Sequence, residues 1–196
     1  FFGLVFYKTG YEIEVTALKM WDKVAHLFGA VSTMTISALK TIADFLDKTI
    51  PLSWQESYDN AGLLYGEKEE KCTGIYVCFD INNEVIDKAI ENNCNFIVSH
   101  HPLIYKALKN FTNNDNVTTA LIKAIKNNIA LYCAHTNLDS AKNMGVNTML
   151  AEKIGLTNIR PLHKENISDE GYFGLGAIGE LKEEKNIMYY FYRKHK

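Results

Sequence analysis

The stretch Asn95-Phe96-Ile97-Val98-Ser99-His100-His101-Pro102 runs from a short apolar segment directly into a pair of histidines. A second stretch repeats this order: the apolar run Ile129 to Ala134 precedes His135-Thr136-Asn137-Leu138-Asp139. Short uninterrupted apolar runs of this kind are typical of strands buried on both faces of a parallel sheet. Because ligands collect at the carboxyl ends of parallel strands, we expect both polar clusters to lie on one rim of the sheet.

Strand and helix patterns alternate along the middle of the chain. The predicted strands are Ile75 to Phe79, Asn95 to Val98 and Ile129 to Ala134. The predicted helices are one with Leu39, Ile42 and Leu46 on its apolar face, which stops before Pro51, then Glu84 to Asn92, Val117 to Lys126 and Gly145 to Ile154. This alternation predicts an α/β fold with a mainly parallel sheet and helices on both faces, in three layers.

The composition is that of an ordinary globular protein. The chain has 196 residues, of which 47% are hydrophobic and 22% charged. A net charge of −2 and a pI near 6.3 argue against a nucleic-acid partner, which would favour a basic domain. No apolar run reaches the ~18 residues that cross a bilayer, so a membrane partner is not expected. Four cysteines without Cys-x-x-Cys spacing predict reduced core thiols in a cytoplasmic protein: Cys72, Cys78, Cys94 and Cys133.

The predicted organisation has one main domain. Residues 1–33 fit no helical or strand period and form an unplaced N-terminal segment, with Met34 as the expected start of the domain. The α/β domain then spans residues 34–181, and residues 182–196 form a tail that matches no element.

The histidine pair points to metal chemistry. Adjacent histidines on extended backbone direct their rings to opposite sides, and Pro102 favours that geometry for His101. The pair therefore suits two ions, with His100 and His101 each binding one and Asp139 reaching one or bridging both. Paired ions of this kind lie ~3.5–4 Å apart and can bind an oxygen substrate between them. The alternative is that His100 and His101 are a hydrogen-bonded feature of a loop.

The ligand count falls short of a complete site. His100, His101 and Asp139 supply three donors, whereas a single structural zinc ion binds four. We interpret His135 as a partner that lies behind the ligands and donates its ring N–H to a carboxylate or a carbonyl. The other histidines do not complete the set: His26, His163 and His195.

The segment Gly174 to Gly179 matches the dinucleotide-binding pattern Gly-x-Gly-x-x-Gly. Its context does not fit, because no clear strand precedes it and no apolar helical pattern follows. We predict a turn and an edge strand there instead of a nucleotide-binding loop.

Several motifs in order along the chain carry a family resemblance. They are Asp59-Asn60, Gly62 to Gly66, Phe79-Asp80, Ile97 to Ile104, His135 to Asp139, Gly145-Val146-Asn147 and Gly174 to Leu181. The set resembles the dinuclear metal centre proteins known as GTP cyclohydrolase I type 2 homologues. The resemblance implies a hexameric ring with metal sites facing its interior, and two divalent ions held by residues matching His100, His101 and Asp139. The family completes its site with a C-terminal His-x-x-x-Glu that this sequence does not contain, so the second half of the fold is expected to be incomplete.

Two functions remain open at this stage. The leading hypothesis is a metal-dependent, hydrolase-like protein that uses up to two zinc, iron or manganese ions on a nucleotide or another small polar substrate. The alternative is a non-enzymatic, metal-binding homo-oligomer that serves as a scaffold for partners.

Overall fold

The three predicted strands pair side by side in one four-stranded sheet. Its strands are β1 (Gly62–Tyr65), β2 (Ile75–Cys78), β3 (Phe96–Ser99) and β4 (Ala130–Cys133), in the order β1-β4-β3-β2. Strands β2, β3 and β4 run parallel, and β1 pairs antiparallel with β4 at one edge. The mainly parallel sheet predicted from the apolar runs is therefore confirmed.

The computed structural model describes residues 38–141, 145–162, 166–168 and 171–181. The predicted N-terminal segment 1–33 and the tail 182–196 lie outside these ranges, as do His26, His163 and His195. The described residues up to Leu138 form one unit, and those from Asp139 onward form a second.

Helices cover both faces of the sheet in the first unit. They are α1 (Leu39–Thr49), α2 (Asn83–Glu91) and α3 (Asn116–Lys126). On one face the apolar core joins Tyr76, Ile97 and Leu131 to side chains of α2 and α3. On the other face the hydroxyl of Tyr132 donates to Asp47 of α1, at 2.7 Å. Consecutive residues of a strand point to opposite faces of the sheet, so each strand packs against helices on both sides. The unit therefore has the three layers predicted from the sequence.

The helix ends follow local sequence signals. Asn82 accepts a hydrogen bond from the Val85 backbone N–H (2.9 Å) and so caps α2, and Asp115 caps α3 through Thr118 (2.8 Å). A short 3₁₀ turn, Leu52–Trp54, follows α1.

Within the described part of the chain, each helix is too short or too polar to cross a membrane.

All four cysteines are free. Cys72, Cys94 and Cys133 are buried, and Cys78 is half-buried. Burial raises the pKa of Cys72 to about 11, so that this thiol stays protonated at neutral pH.

The second unit is a small mixed assembly. Helix α4 (Thr136–Asp139) ends at the first residue of this unit. Helix α5 (Val146–Lys153) comes next and is followed by β5 (Leu156–Pro161). Strand β5 pairs antiparallel with β8 (Ala177–Leu181), and the short strands β6 (Asn166–Ser168) and β7 (Gly171–Phe173) pair with each other. Strands β5, β6 and β7 were not predicted from the sequence.

The glycine-rich segment forms the predicted turn and strand. Gly174 and Gly176 have φ values of 152° and 70°, in the left-handed region that favours glycine. The residues that follow enter β8 rather than a helix, so the dinucleotide-binding geometry is not formed.

Gly66 provides a test of packing against the sheet. Its φ is 143°, and a Cβ placed on it would lie 2.5 Å from the Cβ of Ala130 in β4. We expect Gly66→Ala to lower the free energy of unfolding by about 2–4 kcal/mol, through backbone strain and overpacking together. In an Ala130→Gly background the same substitution should cost about 1–2 kcal/mol less, because the clash is removed. Urea unfolding of the four chains measures this; equal costs in both backgrounds would contradict the contact.

Candidate metal centre

The parallel register aligns the carboxyl ends of three strands. Cys78, Ser99 and Cys133 lie side by side as the last residues of β2, β3 and β4. The ladder continues one residue further: the N–H of His100 donates to the Cys78 carbonyl (3.3 Å), and that of Ala134 to the Ser99 carbonyl (2.9 Å). The residues that follow each strand therefore leave the sheet at the same level.

Three imidazole rings meet at this edge. The ring centroids of His100 and His101 are 5.0 Å apart, and His135 lies 5.3 Å from the first and 5.5 Å from the second. One ligand nitrogen from each ring lies within 4.8 Å of the other two. The sequence predicted that these histidines lie together on one rim of the sheet, and the three side chains do so.

The first two rings have a defined tautomer. Nδ1 of His100 lies 2.9 Å from the Ala134 carbonyl oxygen, and Nδ1 of His101 lies 2.7 Å from Oδ1 of Asp80. A carbonyl or an ionised carboxylate only accepts hydrogen bonds, so Nδ1 carries the proton in both rings. The lone pair that can bind a metal is then on Nε2.

The third ring is held by Asp59. Nδ1 of His135 lies 2.8 Å from Oδ1 of Asp59, whose side chain is 0% exposed. The other carboxylate oxygen accepts from the backbone N–H of Thr136 (3.0 Å) and from its hydroxyl, and Oδ1 also accepts from the N–H of Asn60 (2.7 Å). Burial raises the pKa of Asp59, but the hydrogen bonds from His135 and Thr136 outweigh it and hold the pKa below its usual value. The carboxylate is therefore ionised at neutral pH.

Aromatic rings border the cluster. Phe79 stacks on His100 at a centroid distance of 4.9 Å and meets His101 edge-on at 4.5 Å. Tyr105 lies perpendicular to His135 at 6.4 Å. Stacked and edge-on contacts of this kind are the favoured arrangements of aromatic rings and help to orient the imidazoles.

The donor set fits a divalent transition metal. Such ions bind neutral imidazole, and burial lowers the pKa of His100 to about 4, so this ring is neutral at physiological pH. Each of the three rings also has an oxygen partner for its second nitrogen, the arrangement that orients histidine ligands in metal sites.

The remaining predicted ligand lies in the second unit. Asp139 is the last residue of α4, is half-buried, and its backbone carbonyl accepts from Nδ2 of Asn147 (3.1 Å). Its role as a ligand stays a prediction, and so does the role of His135 as a partner behind the ligands.

The two carboxylates that contact the histidines, Asp59 and Asp80, belong to motifs of the family resemblance, but no role at the site was predicted for either. Asp80 follows the end of β2, so the reasoning that found His100 and His101 could have found it as well. The position of Asp59 does not indicate a place at this rim, because it follows no predicted strand and lies 76 positions before the histidine that it contacts.

Fold and site together define a mixed α/β protein with a histidine cluster suited to a divalent metal. The family model described as Duf34/NIF3 (NGG1p interacting factor 3) matches residues 37–193. The chain therefore belongs to the Duf34/NIF3 family. Its curated relatives include proteins named GTP cyclohydrolase 1 type 2 homolog, which confirms the resemblance found in the sequence.

Relatives and solved structures agree on the family and on the partial coverage. The homolog from Clostridium acetobutylicum is 35% identical over 149 residues, which cover 76% of this chain and 55% of the relative. The crystal structure of Staphylococcus aureus protein SA1388 matches with a TM-score of 0.62 and 38% identity, over 68% of this chain and 38% of that one. Reduced HcgD from Methanocaldococcus jannaschii matches with a TM-score of 0.68 and 31% identity, over 82% and 61%. The chain thus spans about half or less of the first curated relatives that it matches.

Because the ring of His100 is buried, we expect the stability of the metal-free chain to depend on pH. Its folded-state pKa of about 4 lies below the unfolded value near 6.5, so its contribution to stability is fully present above pH 6.5 and is lost as the pH falls to about 4. We expect its Cε1–H resonance in an NMR titration to shift with a midpoint near pH 4, assigned by its absence in His100→Gln. A midpoint near 6.5 would contradict the burial.

Proposed function

We propose that this chain binds up to two divalent metal ions at the histidine cluster and supports metal-dependent hydrolysis of a small polar substrate. The observation that carries the proposal is the convergence of His100, His101 and His135 with an oxygen on Nδ1 of each ring. Rings oriented in this way present Nε2 as the metal-binding atom. Zinc, iron and manganese all suit a site of imidazole and carboxylate ligands.

Particular residues have separate tasks in this proposal. His100 and His101 supply nitrogen ligands, and Asp139 supplies a carboxylate, as predicted from the sequence. Asp80 holds the ring of His101, and the Ala134 carbonyl holds that of His100. A divalent ion bound here would act as a Lewis acid and lower the pKa of a water molecule, which is what hydrolysis requires.

The substrate class and the assembly are proposed from the family. The relatives named GTP cyclohydrolase 1 type 2 homolog make a nucleotide such as GTP the first substrate to try. A homo-oligomer, hexameric as the resemblance implies, and a cytoplasmic location belong to the same proposal; the four free cysteines favour the latter.

A second candidate function is a metal-binding scaffold without catalysis. The family description, NGG1p interacting factor 3, refers to an interaction and not to a reaction. In this case the bound metal would stabilise the fold and the oligomer.

Metal content tests the metal site, which both candidate functions require. We expect the purified chain to contain at least one equivalent of transition metal by elemental analysis, and His101→Ala and Asp139→Ala to contain less than half of the wild-type amount, because each loses a ligand. Asp44→Ala, on the exposed side of α1, is the matched control and should keep its metal. Unchanged content in both ligand variants would refute the metal site.

Chelation separates the hydrolase from the scaffold. We expect GTP hydrolysis by the metal-loaded chain to fall at least tenfold after treatment with a chelator and to return when zinc or manganese is added, since the water is activated by the ion. Phosphate release and product chromatography measure this. Hydrolysis that is indifferent to the chelator, or absent while the metal is bound, would exclude the GTP hydrolase and favour the scaffold.

A further inference from the structure

We infer that Tyr105 is the residue that selects the substrate, and that it does so by stacking on a planar heteroaromatic ring such as a nucleobase. This inference rests on the proposed function and deepens it, because it names the part of the substrate that the site recognises and the side chain that recognises it. The supporting observations are the place, the exposure and the anchored backbone of this tyrosine.

The exposed aromatic side chains of the first unit all belong to segments at one edge of the sheet. Phe79 follows β2, and Tyr105 and Phe111 belong to the segment that joins β3 to α3. Tyr58 precedes β1, whose first residue pairs with Cys133 at the end of β4. These are the four exposed aromatic residues among the described residues 38–138. Exposed aromatic residues that gather on one surface, here the edge that carries the histidines, are typical of binding sites.

Tyr105 lies beside the histidine cluster and keeps part of its ring open. Its ring centroid is 6.4 Å from that of His135, and the two ring planes are 87° apart. In a perpendicular pair one ring presents its edge to the other, so His135 covers at most one face of the tyrosine ring. The residue is 47% exposed. A molecule that places a polar group on the histidines therefore has an accessible aromatic face beside it.

Phe79 also borders the cluster, but its ring is already engaged. It stacks on His100 at 4.9 Å and meets His101 edge-on at 4.5 Å. Tyr105, within the described part of the chain, makes a single ring contact, and that contact is near the long end of the range of about 4.5–7 Å for aromatic pairs. Tyr105 is thus the better placed of the two to stack on a substrate while the imidazoles keep their arrangement.

The backbone before Tyr105 is anchored to the turn that holds His135. Nδ2 of Asn60 donates to the carbonyl oxygen of Ile104, the residue before the tyrosine, at 2.6 Å. The neighbouring Asp59 accepts from Nδ1 of His135 at 2.8 Å. One turn therefore contacts both the histidine and the start of the segment that carries Tyr105. A surface that is arranged before the ligand arrives binds at a lower entropic cost.

A nucleobase or a similar planar heterocycle is the ligand chemistry that suits this surface. Such a ring stacks on an aromatic side chain, and the contact tolerates different bases because every base has a π face. A polar group elsewhere in the same molecule can then reach the histidine cluster. A sugar phosphate without a base would keep the polar contact and lose the contact with Tyr105.

Calorimetric titration of the zinc-loaded full chain tests the inference, with GMP, UMP and the base-free ribose 5-phosphate as the probes. We expect both nucleotides to bind at least about tenfold more tightly than ribose 5-phosphate, because only they can stack. Tyr105→Ala should weaken both nucleotides by about tenfold or more and change ribose 5-phosphate by less than about twofold. Tyr105→Phe keeps the ring and should stay within about threefold of the wild type.

Two further variants separate stacking from other effects. Tyr105→Leu keeps apolar bulk without a π face and should lose nucleotide affinity as Tyr105→Ala does, which also covers the case in which the alanine variant does not fold. Phe111→Ala is the matched control, because Phe111 is 62% exposed and belongs to the same segment, while among the described residues its ring contacts none of the histidines. It should bind all three probes as the wild type does.

Zinc content and sedimentation, measured on each variant, show which part of the account fails. Nucleotide affinities that are unchanged in Tyr105→Ala, or no tighter than that of ribose 5-phosphate, would overturn the inference, and the proposed function would stand as long as zinc is retained. If Tyr105→Ala instead loses zinc or changes its oligomeric state, the ring serves the metal site or a contact between copies, and the inference is again overturned. A wild-type chain that retains no zinc would refute the proposed metal site itself.

Discussion

The candidate site depends on the in-register parallel pairing of β2, β3 and β4. This pairing places Cys78, Ser99 and Cys133 at one level, so that the residues after each strand leave the sheet together. A shift of one residue in a strand would move its side chains to the opposite face and separate the histidines. The buried apolar runs that fix the register are therefore as necessary to the site as the histidines themselves.

The second requirement is an oxygen partner for each ring. One partner is a backbone carbonyl, one is an exposed carboxylate and one is a shielded carboxylate, and each is supplied by a different segment of the chain. Burial of His100 keeps this ring neutral, and it also opposes folding at low pH because protonation there is costly. The burial that keeps His100 neutral, and therefore able to bind a metal, thus lowers the stability of the fold at low pH.

Local pattern was sufficient to predict the α/β class, the parallel strands and the rim that carries His100, His101 and His135. It succeeded because buried parallel strands have short apolar runs and because the helices between them keep an apolar face. It failed for β5 to β7, because β6 and β7 have only three residues each and β5 has no regular alternation of apolar and polar residues. It also failed to predict the contact between Asp59 and His135, because tertiary folding brings together residues that are 76 positions apart in the sequence.

The central claim is that these imidazoles bind a divalent ion through ring nitrogens. X-ray absorption at the zinc edge, recorded on the zinc-loaded chain, measures this coordination most directly. The account predicts nitrogen scatterers at about 2.0–2.1 Å with the outer-shell signal of at least two imidazole rings. A spectrum of oxygen ligands alone, or the failure of the chain to retain zinc, would contradict it.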